Sequence, residues 1–532
     1  MAAETRPVAK RGRIARNTAI FSILTGLSRI AGLIREIVAS SYFGTSGPFS
    51  AFTIAFQVPN LVRNLFADAA LSAAFVPVFT ELLEKGKRRE AYQLASTFVV
   101  LIVAALTAVS VFFILIAPYL MPLLIGDDLR GLDDLTVGLS RVLFPIVLLL
   151  GLNGLLVGIL NAYDHFTIQA LAPLAWNFVI IGLLVVLRPL FSGADELYAY
   201  AIAVVAGTLV QLAMAVPVLR RLDFKFERRI DLRDPRVKQV LSLMLPVTLS
   251  LGLINFNMLI NSSLGSSVSA GAPRAIDAAF RIYMLPQGMF SVAVATVLFP
   301  ALSRLATRRD FDGLRELTAT GTRQIFLLLI PAAACTLALS VPITRLVYER
   351  GEFDADSTRL VAEALFWFSF SLPFAGANLL LTRTFFSLQR PWLPTAIGGA
   401  SLLVNVVVAV ALYQPFGVGG IVIGTAVASA AMMAGQAWYL RRELGGQLEG
   451  RATFDAVARI CVASALLGVV AYGLYRVLDG IVGRSLPGQV VSVGFALTVG
   501  LVVYACAVLA MHVPEAQQIR DAVAGRVRRR RG

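Results

Sequence analysis

Apolar runs of about 20 residues recur from one end of this 532-residue chain to the other. Coiled as a helix, such a run rises about 30 Å, the thickness of a bilayer's hydrocarbon core. No water is present there to pair backbone N–H and C=O groups, so only helices or closed β-barrels can cross. The runs are continuous and do not alternate over ten-residue segments, which argues against a barrel. Composition agrees, with 57% hydrophobic and 15% charged residues, where a soluble chain carries about 25% charged. The sequence therefore predicts an all-α polytopic membrane protein.

About fourteen spans are expected, near 18–43, 49–83, 91–125, 135–162, 167–187, 196–219, 239–264, 273–303, 314–348, 358–387, 392–413, 418–440, 455–477 and 488–511. With a cytoplasmic N-terminus, the alternating segments put roughly 31 basic residues inside against about 8 outside, as the positive-inside rule requires. An even span count then leaves both termini cytoplasmic. The organisation reads as a basic tail (1–17), a first six-span lobe (18–219), a basic loop (220–238), a second six-span lobe (239–440), two extra spans (441–511) and a basic tail (512–532). The N-terminal segment has no short apolar region with a small-residue cleavage site, so it reads as a retained first span.

The two lobes resemble a duplication. Phe75-Val76-Pro77 precedes a basic cluster, as Leu298-Phe299-Pro300 does, and Pro77 and Pro300 lie 223 apart. Pro145 pairs with Pro373 and Asn177 with Asn405, both at a separation of 228. Both halves start from the same side, so the expected repeat is parallel, about a pseudo-twofold axis along the membrane normal.

The net charge of +15 sits mostly in short loops, where it sets topology or meets anionic lipid headgroups; nucleic acid is not expected as a partner. Cys335, Cys461 and Cys506 lie apart in apolar runs, and His165 and His512 stand alone, so neither a disulfide framework nor a metal site is expected. No GxxxxGK[ST] loop is present, which argues against direct ATP hydrolysis. No catalytic residues and no cofactor are expected, and a coupling ion is left open.

Four arginines interrupt the apolar helices: Arg29, Arg35, Arg63 and Arg281. Each costs about 2.5–3.5 kcal/mol at mid-bilayer, so together they oppose insertion by roughly 10 kcal/mol. Polar stripes accompany them. Ser22, Thr25, Arg29, Gly32 and Glu36 follow one face of span 1, and Thr53, Gln57, Asn60, Asn64 and Asp68 follow one face of span 2. Span 7 offers Ser250, Asn257 and Asn261; span 8 has Arg274, Asp277 and Arg281. Stripes on the leading pair of each half predict a shared central cavity. Ser, Thr, Asn and Gly also glue helices together, and Asp277 is placed four before Arg281 for a local ion pair. Arg35 is turned about 120° from Arg29 around the helix, so only part of the cluster can face one ligand. Guanidinium is planar, always charged and bidentate, which suits phosphate. Arg141, Arg323 and Arg459 stand near span ends and are expected to snorkel. Pro59, Pro77, Pro286 and Pro300 are candidate hinges.

These motifs resemble a known family. Ser28-Arg29-Ile30-Ala31-Gly32-Leu33-Ile34-Arg35-Glu36 is similar to the opening signature of the MurJ (MviN) lipid II flippases. The stretch Ala55-Phe56-Gln57-Val58-Pro59-Asn60-Leu61-Val62-Arg63, continuing through Phe66-Ala67-Asp68 to Pro77, resembles the second-span motif. Phe280-Arg281 ahead of Pro286, and Arg383 before Phe385-Phe386, match patterns of spans 8 and 10. The resemblance implies a multidrug/oligosaccharidyl-lipid/polysaccharide exporter fold, two six-helix lobes about a V-shaped cavity. It implies spans 13 and 14 as a groove for a polyprenyl tail, and export of lipid II from inner to outer leaflet. It also implies Arg29, Arg35, Arg63 and Arg281 as substrate-binding positions. Glu36, Gln57, Asn60, Asn64, Asp68, Asn257, Asn261, Asp277 and Arg383 would support the cavity. Ser50 and Phe280 stand where some members carry aspartate, and Asp277 can substitute one turn away.

The expected mechanism is alternating access by a monomer, with lipid II and bilayer lipids as partners. Two other readings predict different outcomes. A flippase for lipid-linked polysaccharide units would share the diphosphate chemistry, and a non-transporting scaffold would tolerate loss of its buried arginines. A drug/cation antiporter would line its cavity with acidic groups.

Overall fold

A computed structural model describes residues 6–66, 68–163, 165, 167–222, 224–227, 230–446, 449–518 and 520–521. No strand occurs among the described residues. The helices, in chain order, are α1 (Arg6–Phe43), α2 (Gly47–Phe66), α3 (Asp68–Glu84), α4 (Arg88–Leu124), α5 (Asp133–Leu143), α6 (Pro145–Ala162), α7 (Thr167–Leu187), α8 (Glu196–Arg221) and α9 (Pro235–Gly265). They continue as α10 (Ala272–Pro286), α11 (Val292–Thr307), α12 (Phe311–Ala338), α13 (Ser340–Tyr348), α14 (Ala355–Ser387), α15 (Trp392–Glu443), α16 (Gly450–Val482) and α17 (Leu486–Ala510). Among the described residues, ten helical segments are long and apolar enough to cross a membrane. One of them, α15, holds two rods that meet at Gly417, whose φ of 54° and ψ of −133° only glycine adopts without strain. The expected spans 1, 2 and 7 are helical as α1, α2–α3 and α9. They fall outside the ten; polar stripes interrupt their apolar runs, as one also does in the 272–307 segment, which is among the ten.

The chain divides into two compact units, residues 1–259 and 260–532. The division falls inside α9, later than the 220–238 loop suggested by the sequence. Contacts of the start and the middle of α9 with α4 and α2 account for this. Arg236 reaches Glu90 on α4 with Nη1–Oε2 at 2.7 Å, and Asn255 accepts from Asn60 on α2 at 3.5 Å.

Within unit 1, α1 lies along α7, α7 along α8, α2 along α5, and α3 along α6. Phe43, Phe49, Phe52 and Tyr200 form an aromatic nucleus, with Phe52 stacked on Tyr200 at 4.6 Å. Such pairs add about 0.5–1.5 kcal/mol beyond area burial. Within unit 2, α14 sits between α10, α12 and α15. Gly376 permits that packing, since a Cβ there would lie 2.2 Å from Leu329 and 2.7 Å from the Ser291 hydroxyl. Pro286 ends α10, and a π-helical turn at Gln287–Ser291 follows before α11. Pro59 and Pro77, by contrast, lie inside α2 and α3.

The repeat is visible in how each half is tied. In unit 1, Asn177 of α7 donates to the Ser28 carbonyl on α1 at 3.5 Å. In unit 2, its counterpart Asn405 of α15 donates to Asn261 on α9 at 2.9 Å. The fifth span of each half thus grips the first through an equivalent asparagine.

The extra helices α16 and α17 pair with each other and pack on α12. Arg323 of α12 holds the Glu515 carboxylate after α17 and, at 2.7 Å, Glu449 before α16. Midway, the Tyr504 hydroxyl of α17 donates to the Leu327 carbonyl at 2.6 Å. At the other end, Arg345 of α13 donates to the Tyr475 hydroxyl on α16 at 3.3 Å, which donates to Asp479 at 3.2 Å. Snorkelling, the expected state of Arg323, is therefore not what it does. Arg459, which is exposed, donates to the Met511 carbonyl just past the end of α17 at 3.1 Å.

Candidate functional site

In unit 1 the candidate residues arise from α1 and α2. The three-and-four spacing that made a stripe in the sequence places Arg29 and Glu36 two turns apart, about 10 Å along the axis. Arg29 is exposed at the surface of α1, whereas Glu36 is buried. Arg35 is 8% exposed, its guanidinium stacked over Trp176 of α7 at 4.6 Å and 3.7 Å from the Glu36 carboxylate. Stacking covers the face of the guanidinium and leaves its edge for in-plane hydrogen bonds. Arg35 Nε is buried with no hydrogen-bond partner among the described residues. A buried N–H donor of this kind is costly and points to an acceptor that arrives from outside.

Arg63 is half-buried in the last turn of α2, and Gln57 is buried one and a half turns earlier. Asn60, between them, donates to Asn255 of α9 at 3.5 Å. The side chains of Asn64 and Asp68 lie outside the described residues. The described side chains of α1 and α2 include three guanidinium groups, Arg29, Arg35 and Arg63, and one carboxylate, Glu36. The leading pair of this half therefore carries a surplus of positive charge, and a low-dielectric surround strengthens its field on an anion.

In unit 2 the 15-residue α10 carries the cationic group. The Asp277 carboxylate accepts from Arg281 Nε at 2.9 Å and from Arg274 Nη1 at 3.0 Å. The local pair foreseen from spacing is present, and a second, buried arginine shares it. Two cations on one carboxylate leave this turn net positive. Arg281 is the outer partner, with its side chain 35% exposed. Asp277→Asn is expected to take from the buried Arg274 the carboxylate it shares with Arg281, costing about 2 kcal/mol. Reduced folded yield in a detergent-stability measurement would show it, with Asp277→Glu restoring most of the loss.

The other candidates in unit 2 do different things. Asn261 is fully buried, accepting from Asn405 and donating to Thr425 at 2.9 Å, while Thr425 donates back to Asn405 at 3.3 Å. That closed ring joins α9 to both rods of α15, as interhelical glue does. Asn257 is half-buried one turn earlier. Arg383 of α14 lies over Phe299 of α11 at 5.3 Å. Phe280 packs on Tyr283 and Phe368, and Ser50 is buried near the start of α2. Three partners were missed from sequence. Arg274 stood on the stripe but was not weighed as a cation in its own right. Trp176 and Asn255 lie too far along the chain for any local pattern to pair them with Arg35 and Asn60.

A family model described as lipid II flippase MurJ matches residues 39–512. The probable lipid II flippase MurJ of Rhizobium meliloti (strain 1021) is 32% identical over 413 residues, 75% of this chain and 76% of its own. That of Treponema pallidum (strain Nichols) is 30% identical over 419 residues, covering 77% and 78%. Among solved structures, a lipid II flippase MurJ in an inward closed conformation superposes with a TM-score of 0.76 at 22% identity, over 93% of this chain and 99% of that one. An inward-facing MATE family transporter of the MOP superfamily gives 0.65 at 16% identity, over 79% and 94%. At these identities the two structures speak to the fold alone.

Proposed function

Since this chain belongs to the MurJ lipid II flippase family, we propose that it moves lipid II from the inner to the outer leaflet of a bacterial inner membrane. We take Arg29, Arg35 and Arg63 of the first half as the cations that hold the substrate's diphosphate, with Arg281 of the second half as a further candidate for substrate contact. The observation that carries this site is Arg35, whose buried Nε has no hydrogen-bond partner among the described residues. A diphosphate oxygen supplies the acceptor, with Trp176 holding the guanidinium plane. Glu36, Gln57 and Asn60 set the cations of the first half, and Asp277 that of the second; Asn261 and Arg383 brace helices within the second half.

Transport runs by alternating access, as a secondary-type process of a monomer with both termini cytoplasmic. No cofactor is required, and lipid II and bilayer lipids are the partners rather than nucleic acid. An interior-negative potential favours outward movement of the anion by about 2.3 kcal/mol per charge per 100 mV. The test is depletion of the protein in its own cells, followed by purified transport of defined lipid-linked substrates. Lysis with lipid II confined to the inner leaflet is the expected result. Loss of surface glycan alone, with lipid II still reaching the outer leaflet, would instead assign a polysaccharide-unit substrate.

A further inference from the structure

The connection between α8 and α9 does not run straight across the surface. It folds back along α4, where the Glu227 amide donates to Ser96 Oγ at 2.9 Å and the Asp231 amide to Thr97 Oγ1 at 3.2 Å. Both hydroxyl side chains are buried. Phe224 packs edge-on against Tyr92 of α4 at 5.0 Å, and Phe226 against Phe224 at 4.9 Å. The return is pinned by Arg236, which binds Asp234 and Glu90. Glu90 precedes Ser96 by six residues, so the loop reaches about 9 Å further along α4 than its own exit. That depth is where the apolar run of α4 begins, at Phe98.

At this depth the loop presents Phe226, Ile230 and Leu232 at 56%, 46% and 61% exposure. Lys225 and Arg233 flank them, exposed, and Arg220 and Arg221 lie exposed in the last turn of α8. Apolar tips among cations at the edge of a lipid-facing helix match an interfacial element. Its apolar part sits among the upper acyl chains and its cations meet phosphate. A loop facing water would have its three apolar side chains exposed with nothing gained.

We propose that residues 224–227 and 230–233 form a headgroup-level anchor that inserts Phe226, Ile230 and Leu232 into the leaflet on the basic side. Lys225, Arg233, Arg220 and Arg221 recruit anionic phospholipid there. The inference needs only that α4 spans the bilayer and stands apart from the lipid II reading. The test uses the full chain with Cys335, Cys461 and Cys506 replaced by alanine. Single nitroxides are attached at Phe226→Cys, Leu232→Cys, Lys225→Cys and the exposed control Asp312→Cys. The protein is reconstituted into phosphatidylcholine vesicles with or without phosphatidylglycerol. Labels at 226 and 232 are expected to collide with oxygen and to be shielded from a nickel chelate several-fold relative to 312. The label at 225 should remain chelate-accessible. Phosphatidylglycerol should be retained through purification, and the double change Lys225→Gln with Arg233→Gln should lower that retention at least twofold. Chelate access at 226 and 232 equal to that at 312 would overturn insertion and leave the loop as a surface for a soluble protein. Equal retention of zwitterionic and anionic lipid would overturn the anionic preference.

Discussion

Alanine at Arg29, and separately at Arg63, is expected to abolish growth rescue of depleted cells while protein abundance stays normal. Arg29 is exposed on α1 and makes no ion pair among the described residues, so its removal takes little from folding. A charge-assisted hydrogen bond is worth about 1.5–3 kcal/mol, so each lost contact weakens diphosphate binding about tenfold to a hundredfold. Lysine at either position keeps the charge but loses the planar fork, and partial rescue is expected. Arg35→Ala should behave differently. It uncovers Trp176 and takes the Arg35 guanidinium from the buried Glu36 carboxylate, so abundance falls together with activity. Quantitative blotting beside the growth assay separates the two. Full rescue by both Arg29→Ala and Arg63→Ala at normal abundance would refute the assignment of the site.

The largest stability loss is expected at a residue far from the stripes. Arg323→Ala removes the cation that joins Glu449 and Glu515, and Glu515 is fully buried. Breaking a buried pair by deleting one partner costs about 3–5 kcal/mol, because the remaining charge stays desolvated. A melting curve in detergent should fall by several degrees. The double change Arg323→Met with Glu515→Gln should recover part of the drop, since no charge is then left buried alone. An unchanged melting temperature in Arg323→Ala would show that this end of the hairpin bears no load.

The helices and the duplication were legible because both rest on periodicity. Apolar runs of bilayer length leave few alternatives, and Asn177 and Asn405 kept matching positions at a separation of 228. Residues joined locally were legible too, as Asp277 with Arg281 shows at four-residue spacing. Partnerships across the chain were not. Arg323 lies 126 and 192 residues from its two carboxylates, and nothing near it marks it as bound rather than snorkelling. Asn261 misled in the opposite direction: its stripe position suggested a lining group, yet it is enclosed in a ring with Asn405 and Thr425. A one-dimensional pattern reports which helix face is polar, but cannot say whether water or another amide meets it.

Fastening of α16 and α17 to α12 and α13 at both ends has a practical consequence for watching the molecule work. A dye on the outer surface of α16, for instance at the exposed Val469, reports the displacement of the whole second unit and not a swing of the hairpin alone. Gly468, the residue before Val469, turns the packed face of α16 close to α12, since a Cβ there would come within 3.7 Å of the Ala338 methyl. A fluorophore beside so close a seam moves with the body it is riveted to, which makes the appended pair a built-in handle for single-molecule trajectories.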